Sequence, residues 1–303
     1  MKKRKANLVN DGSLLGNICI FIVAVLVCII SLYPMYYVFI LSISSPQAVL
    51  AMNRFLLPDG LYLDSYKIIF KNADMWHAYG NTIGYVVVTT VLMVCTCVMV
   101  AYPLTSNRLI GKKYVSIFLL IPMYFSGGLI PTFLLMTKLN LYNNIWAIII
   151  PGAFNIWNII LTRTYFTSIP ESLREAAKID GANNFKIMWK IYLPIAKPII
   201  AVICIYTIVN TWNSWFSAMV YLPDVKLQPL QLFLRRVLIE QTVDLASTNG
   251  MTMKEAEAMA LKNLANIQLK YAMIVFTTLP VIFAYPFFQK HFVKGVMVGS
   301  LKG

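Results

Sequence analysis

Amide and aromatic side chains recur in several hydrophobic stretches of the chain, and these residue types suit the binding of a polar ligand. The residues are Tyr124, Asn155, Trp157, Asn158, Asn210, Trp212, Asn213 and Trp215. Aromatic rings pack against the CH-rich faces of sugars, while amides and hydroxyls bond their hydroxyl groups. Such sites are concave and mostly apolar, with a few polar groups. We therefore predict that this group lines the pathway of a polar ligand such as a carbohydrate.

The same residues have a simpler interpretation as packing residues. Asparagines in apolar helices often join neighbouring helices by hydrogen bonds, and tryptophans collect at the membrane–water boundary. This alternative stays open for each residue taken singly. The group as a whole favours a pathway, because polar side chains at membrane depth usually face the protein interior.

A charged segment between two hydrophobic stretches is typical of two short helices joined by a turn. Pro170 and Glu171 suit a first helical turn, and Gly181 suits the left-handed residue that ends the helix. Asn183 suits the N-cap of a second helix, which Pro194 should stop. An apolar face on these helices would need a partner to cover it. The predicted faces are Leu173, Ala176 and Ala177 on the first helix, and Phe185, Met188, Trp189 and Tyr192 on the second.

The composition places these residues in a membrane protein. Of 303 residues, 59% are hydrophobic and only 13% are charged, which departs from soluble proteins. A helix of roughly 20 apolar residues crosses a bilayer. We predict an all-α membrane protein with six transmembrane helices, the third interrupted by Gly127 and Gly128. The predicted spans are Leu15–Phe39, Gly80–Leu104, Tyr114–Met136, Trp146–Phe166, Ala196–Tyr221 and Tyr271–Gln289.

The net charge of +14 is explained by orientation in the membrane. With the N-terminus inside, 16 of the 26 basic residues and only four of the 12 acidic residues fall on the cytoplasmic side. This distribution follows the positive-inside rule, predicts that both termini are cytoplasmic, and requires no nucleic acid. The first apolar run is too long for a cleaved signal peptide, so we predict an uncleaved first span.

The chain lacks the residues that several other functions would require. The five cysteines all fall inside predicted spans, and with two histidines they form no metal-binding pattern. We find no catalytic pair and no Gly-x4-Gly-Lys-Ser/Thr phosphate loop, so we predict neither an enzyme nor a cofactor in this chain. The predicted spans also contain no carboxylate, which disfavours proton or sodium coupling. A sodium site built from neutral carbonyl groups stays open, so an ion-coupled secondary transporter of a small polar solute is the alternative function.

The charged segment resembles the signature loop of permease subunits in ATP-binding-cassette (ABC) importers. Its pattern is Glu-Ala-Ala, three residues, Gly181, nine residues and Ile-x-Leu-Pro, ending at Pro194. The resemblance implies a type I importer permease fold, in which cytoplasmic coupling helices carry the force of a partner ATPase into the membrane. ATP and Mg²⁺ would then bind to ATPase subunits, not to this chain. The implied coupling residues are Glu175, Ala176, Ala177, Asp180, Gly181, Phe185, Trp189, Leu193 and Pro194.

Other stretches resemble the sugar-importing branch of these permeases. They are the C-terminal residues 289–303, Gly-Gly-Leu-Ile-Pro at 127–131, and Trp-Asn-Ser-Trp-Phe-Ser-Ala-Met at 212–219. The resemblance implies one permease domain over 1–303 in a bacterial cell membrane, with a second homologous permease and an extracytoplasmic sugar-binding protein as partners. Its predicted parts are a basic tail (1–14), the coupling segment (169–194), an outer loop (222–270) and a C-terminal tail (290–303).

Overall fold

The structure, a computed structural model, describes residues 14–51, 56–106, 108–243, 266–284 and 286. Most of the basic tail, residues 244–265 of the predicted outer loop, and all of the C-terminal tail lie outside the described residues. Within the described ranges, every regular element is a helix. The helices are α1 (Leu14–Ile43), α2 (Pro46–Ala51), α3 (Asp64–Lys71), α4 (Ala73–Thr105), α5 (Lys112–Tyr124), α6 (Leu129–Lys138), α7 (Trp146–Gly152), α8 (Ile156–Thr167), α9 (Glu171–Ile179), α10 (Asn184–Ile187), a π-helix (Met188–Tyr192), α11 (Leu193–Ile195), α12 (Lys197–Trp212), α13 (Phe216–Tyr221), a 3-10 turn (Val225–Leu227), α14 (Leu230–Val243) and α15 (Asn266–Ala284).

Three of the described helices are long and apolar enough to cross a membrane without interruption. They are Gly16–Ile43, Ala73–Thr105 and Asn266–Ala284, which contain most of the first, second and sixth predicted spans. Two bent helix pairs reach the same length and hydropathy together, so the described chain has up to five such segments. One pair is α5 with α6, and the chain bends by 115° between them. The other pair is the helical run 184–195 with α12, and the bend between them is 80°.

The three remaining predicted spans are all interrupted. The third breaks between α5 and α6, as the glycines at 127 and 128 predicted, and Gly128 has φ +84°. The fourth is divided into α7 and α8, because Pro151 and Gly152 end α7 and Asn155 caps a new helix. The fifth is divided into α12 and α13 by a turn at 213–215. Of the six predicted spans, the first and second are continuous helices, the sixth is continuous as far as Ala284, and the other three are built from shorter pieces.

The described chain forms two compact units. Among the described residues, one unit contains 14–70, 240–243 and 266–276, and it includes the buried side chain of Gln268. The Gln268 amide donates to the carbonyls of Ser42 (3.1 Å) and Tyr62 (3.0 Å). It also accepts a hydrogen bond of 2.6 Å from the Ser65 hydroxyl. Gln268 thus joins α15 to α1, to α3 and to the stretch that precedes α3.

The other unit contains residues 71–239 and 277 onward, and α4 is its central helix. α4 packs against α8 and α12 over much of its length. Met93, Cys97, Ile159 and Ile203 form a fully apolar layer between these three helices. α7 also approaches α4 closely, since a Cβ added at Gly152 would lie 3.0 Å from the Thr89 methyl carbon. This unit carries both candidate functional regions.

Replacing Gln268 by leucine should destabilise the first unit, because the Ser65 hydroxyl and the Ser42 carbonyl, both in buried hydrogen bonds, and the part-buried Tyr62 carbonyl would lose their partner. Each unpaired buried group costs about 1–3 kcal/mol. We expect a lower unfolding temperature for the full-length protein in detergent. Gln47→Leu is the matched control, since Gln47 is exposed on α2. Equal unfolding temperatures for the two variants would contradict the assigned role of Gln268.

Candidate functional site

The first helix of the charged segment, α9, has the boundaries that the sequence predicts. Glu171 lies in its first turn and Lys178 in its last, where each complements the helix dipole. Gly181 has φ +75° and donates to the Lys178 carbonyl at 3.0 Å. The next N–H, of Ala182, donates to the Ala177 carbonyl at 2.9 Å. These two bonds form a Schellman motif, which satisfies carbonyls that the helix end would leave free.

The second helix begins as predicted but ends differently. Asn183 caps it, with its side-chain oxygen accepting from the Lys186 N–H at 2.8 Å. The prediction that Pro194 stops this helix was wrong, since helical structure continues to Ile195 and the chain bends at Ala196. A π-helical turn precedes the proline, and Leu193 donates to Met188 five residues back. Because proline has no N–H to place in an α-helical pattern, this wider turn lets the helix pass through it.

The apolar face predicted for the second helix is divided between two environments. Met188 and Tyr192 are buried, and Tyr192 packs edge-on against Tyr102 (5.0 Å between ring centroids) and Phe166 (5.5 Å). Phe185 and Trp189 are 65% and 40% exposed, and their rings lie 5.9 Å apart. The buried half anchors the segment on α4 and α8, while the other half is left open.

The predicted coupling residues also differ in exposure. Glu175, Ala176, Asp180, Gly181 and Pro194 are exposed, and Leu193 is half-buried. Ala177 is buried with the anchoring cluster, so it does not share an accessible face with Leu173 and Ala176. We use the name docking face for six of the accessible side chains of this segment, namely Leu173, Glu175, Ala176, Asp180, Phe185 and Trp189.

Arg174 was not singled out by the sequence analysis, yet it is a buried cation within this segment. It is 7% exposed and bonds Glu171 at 3.0 Å. Burial raises the pKa of the neighbouring Tyr192 phenol, and Arg174 opposes that shift. The i, i+3 spacing of Glu171 and Arg174 is visible in the sequence, but the burial of Arg174 depends on tertiary packing.

A cleft of about 470 Å³ brings together part of the predicted pathway group. α12 and the turn that follows it supply Asn210, Asn213 and Trp215. The broken third and fourth spans supply Thr132 and Gly152. We call this the polar cleft. It has the mixture of aromatic, amide and hydroxyl groups that suits a polar, CH-rich ligand.

The other predicted pathway residues lie elsewhere. Tyr124 is 73% exposed at the end of α5, and Trp157 is 53% exposed on α8. Asn155 caps α8 by accepting from the Asn158 N–H at 3.1 Å, and Asn158 is itself buried. Trp212 is 6% exposed, and its indole N–H donates to the Thr277 carbonyl at 3.1 Å. Trp212 and Asn155 thus have local structural partners, as in the packing interpretation.

The polar cleft has a cationic neighbour that the sequence analysis did not identify. The Arg235 guanidinium lies over the Trp215 ring, 4.0 Å from its centroid. A cation over an indole face is attracted by the ring quadrupole and restrains both side chains. The Arg-Arg pair at 235 and 236 is visible in the sequence, but its position over Trp215 is a consequence of the fold.

Comparison with known proteins identifies the family. Residues 98–298 match the family described as "Binding-protein-dependent transport system inner membrane component". The chain belongs to this family. Protein LplC of Bacillus subtilis is 36% identical over 274 residues, which cover 90% of each chain. The polygalacturonan/rhamnogalacturonan transport system permease protein YtcP of the same organism is 35% identical, over 92% of this chain and 94% of its own.

A solved structure extends this relationship to the fold. A chain of a bacterial ABC transporter involved in the import of the acidic polysaccharide alginate is 36% identical, with a TM-score of 0.81. The match covers 93% of this chain and 99% of that one. The resemblance inferred from the charged segment is thereby confirmed, as is the helical permease fold. As a member of this family, the protein is a membrane component of a transport system and not itself an enzyme.

The two tryptophans near the polar cleft should respond differently to substitution. Trp212→Phe keeps an aromatic ring but removes the N–H that bonds the Thr277 carbonyl. We expect a loss of about 1 kcal/mol in unfolding free energy. Trp215→Phe is the control, because Trp215 is partly exposed and lines the cleft. Chemical unfolding of both purified variants measures the difference, and a larger loss for Trp215→Phe would contradict this assignment.

Proposed function

We propose that this protein is the permease subunit of an ATP-driven importer that moves a carbohydrate, in particular an oligosaccharide, into the cytoplasm. The observation that carries the proposal is the match over 93% of the chain to the permease of an alginate importer. Relatives named as permeases for arabinooligosaccharides and maltodextrin support the same substrate class. The comparisons do not favour ion-coupled secondary transport, the alternative left open by the sequence.

The segment 169–194 is proposed to couple transport to ATP hydrolysis on separate subunits. Its docking face is held on a rigid helix–turn–helix by the Schellman motif and the Asn183 cap. Its other face is anchored by Tyr192 against α4 and α8. A displacement of Phe185 and Trp189 by the ATPase would therefore move the inner ends of the transmembrane helices. Ala177 would position the docking face through its buried contacts. ATP and Mg²⁺ would bind to the ATPase alone.

The remaining architecture follows from the same proposal. All 303 residues would act as one permease domain with six spans, three of them built from broken helices, and both termini in the cytoplasm. A second homologous permease would complete the pathway, and an extracytoplasmic binding protein would deliver the sugar. The polar cleft would line that pathway through Asn210, Asn213 and Trp215. Transport would open this pathway to one side of the membrane at a time, which requires two discrete packings of the helices.

Replacing Trp189 by alanine should weaken capture of the ATPase. Aromatic anchors at interfaces contribute about 2 kcal/mol or more, so we expect roughly 30-fold weaker association. The measurement is purification of the tagged full-length chain in mild detergent, with mass spectrometry of co-eluting ATPase. Lys190→Ala is the control, since Lys190 is the exposed neighbour outside the docking face.

Two results would contradict the coupling proposal. One is a wild-type chain that elutes without any ATPase in several detergents. The other is a Trp189→Ala chain that retains as much ATPase as the Lys190→Ala control. Equal unfolding temperatures for these two variants would show that any loss of ATPase arises at the docking face itself.

Replacing Asn210 by alanine should impair sugar uptake without affecting assembly. Asn210 is an exposed residue of the polar cleft, so its removal leaves the packing intact while the substrate loses a polar contact. Net hydrogen bonds contribute about 0.5–1.5 kcal/mol, which corresponds to a several-fold loss of uptake. Asn17→Ala, an exposed amide on α1 that does not line the cleft, is the control. Undiminished uptake of every oligosaccharide tested would remove Asn210 from the pathway.

A further inference from the structure

A second pocket, of about 510 Å³, lies between the last turn of α4 and the helices of the charged segment. Three of its lining residues are cationic, and the others named here are aromatic or apolar. They are Tyr102, Arg108, Arg174, Lys178, Phe185 and Met188. We call this the basic pocket. Sugar transport, as proposed above, makes no use of its three cations.

The charge of the basic pocket is unbalanced. Arg108, Arg174 and Lys178 line it, and no carboxylate does. Glu171 pairs with Arg174 at 3.0 Å, but its side chain is 54% exposed and is not part of the lining. Arg108 and Lys178 make no ion pair with any residue in the described part of the chain. Clustered cations on a partly apolar wall favour an anion that lies between them.

A buried hydroxyl adds a further polar group. The Tyr102 residue is 8% exposed, and its hydroxyl oxygen has no hydrogen-bond partner among the residues that the structure describes. Buried polar atoms are nearly always paired, so the unpaired hydroxyl of a lining residue favours a ligand that can accept a hydrogen bond. A phosphate is an acceptor whose chemistry suits both a hydroxyl donor and the three cations of the lining.

The location of the pocket indicates which phosphate it would hold. Tyr102 and Pro103 belong to the last turns of α4, a helix with a mean hydropathy of 2.4 over its most apolar window. Arg108, Lys112 and Lys113 follow directly in the sequence. This change from apolar helix to cations marks the level of lipid headgroups, where basic pockets between helices bind anionic lipids.

We propose that the basic pocket binds the phosphate of an anionic phospholipid headgroup. The lipid phosphate would lie between Arg108, Arg174 and Lys178, and its acyl chains would follow the apolar end of α4. The chain's own basic stretches, 2–5 and 290–302, carry the same charge as the pocket and are poor occupants. A soluble phosphate ester offers the same anion without acyl chains, and it is the other source to be tested.

This lipid would join two parts of the coupling machinery. Arg108 follows α4, whereas Arg174 and Lys178 lie on α9. A shared phosphate would tie the docking segment to the membrane surface beside a transmembrane helix. The inference rests on the proposed function in one respect, namely that this end of α4 is the cytoplasmic end.

The test measures retained lipid by native mass spectrometry. The full-length chain, with any subunits that co-purify, is placed in nanodiscs of phosphatidylcholine containing phosphatidylglycerol as the minor lipid. Each membrane-proximal cation contributes enough to change binding about fivefold. We therefore expect Arg108→Gln and Lys178→Gln each to lower phosphatidylglycerol retention about fivefold, and Lys178→Arg to restore it.

Matched controls distinguish a pocket from general attraction. Lys186 and Lys190 are exposed cations on the same segment and do not line the pocket. Lys186→Gln and Lys190→Gln should retain phosphatidylglycerol like the wild type. Losses as large as those of the pocket variants would overturn the proposal, as would unchanged retention in the double variant Arg108→Gln/Lys178→Gln. An unfolding scan of each variant verifies that the chain is folded.

A second experiment tests whether a soluble phosphate ester, instead of a lipid, occupies the basic pocket. Inorganic phosphate or glycerol 3-phosphate is added to the same nanodiscs. We expect neither to displace phosphatidylglycerol at millimolar concentration, and full displacement would overturn the lipid assignment. Lipid retention is measured without ATP, binding protein or sugar. A failure of sugar uptake would therefore contradict the proposed function alone, whereas a loss of lipid specificity with uptake intact would contradict this inference alone.

Discussion

The structure depends most on the requirement that backbone polar groups be satisfied where water is excluded. In hydrocarbon, a helix can be interrupted only where protein groups or a cavity take over its free N–H and carbonyl groups. Here side chains at the interruptions satisfy some of these groups. The Gly128 N–H donates to the Ser126 hydroxyl at 3.2 Å, and Asn155 caps α8. After α12, the Asn213 N–H still bonds the Val209 carbonyl at 3.1 Å. Residues from all three broken spans line one polar cleft, so the constraint that limits where helices break also determines where a polar pathway can form.

The same requirement is met in the charged segment 169–194. Gly181 and Ala182 satisfy carbonyls at the end of α9, and Asn183 satisfies an N–H at the start of α10. The π-helical turn then allows the chain to pass Pro194 before it bends at Ala196. These bonds leave few free backbone groups at the turn between the two helices. In the coupling role proposed above, such a segment would transmit the displacement of a partner through Tyr192, whereas a loop without these bonds would absorb it.

Local rules predicted the parts of this structure that depend on neighbours in sequence. The Gly181 turn and the Asn183 cap were assigned to the right residues, because each depends on a single side chain and the adjacent backbone. Rules of periodicity were less successful. They grouped Phe185, Met188, Trp189 and Tyr192 on one face but could not show that α4 and α8 cover Met188 and Tyr192. Trp212 was grouped with the pathway for the same reason, since its bond to Thr277 joins residues far apart in the chain.

The number of basic residues can be explained from the sequence, but the burial of particular ones cannot. The positive-inside rule accounts for the number of basic residues on one side, but it does not require that any of them be buried. Lys186 and Lys190 are exposed, where a charge remains hydrated. Arg174 is 7% exposed and has one carboxylate partner, and burial of a charge is costly unless it is compensated. Topology would be served equally well by an exposed lysine at this position. The positive-inside rule therefore does not explain the burial of Arg174 in a pocket that two further cations line, whereas the proposed lipid phosphate would explain it.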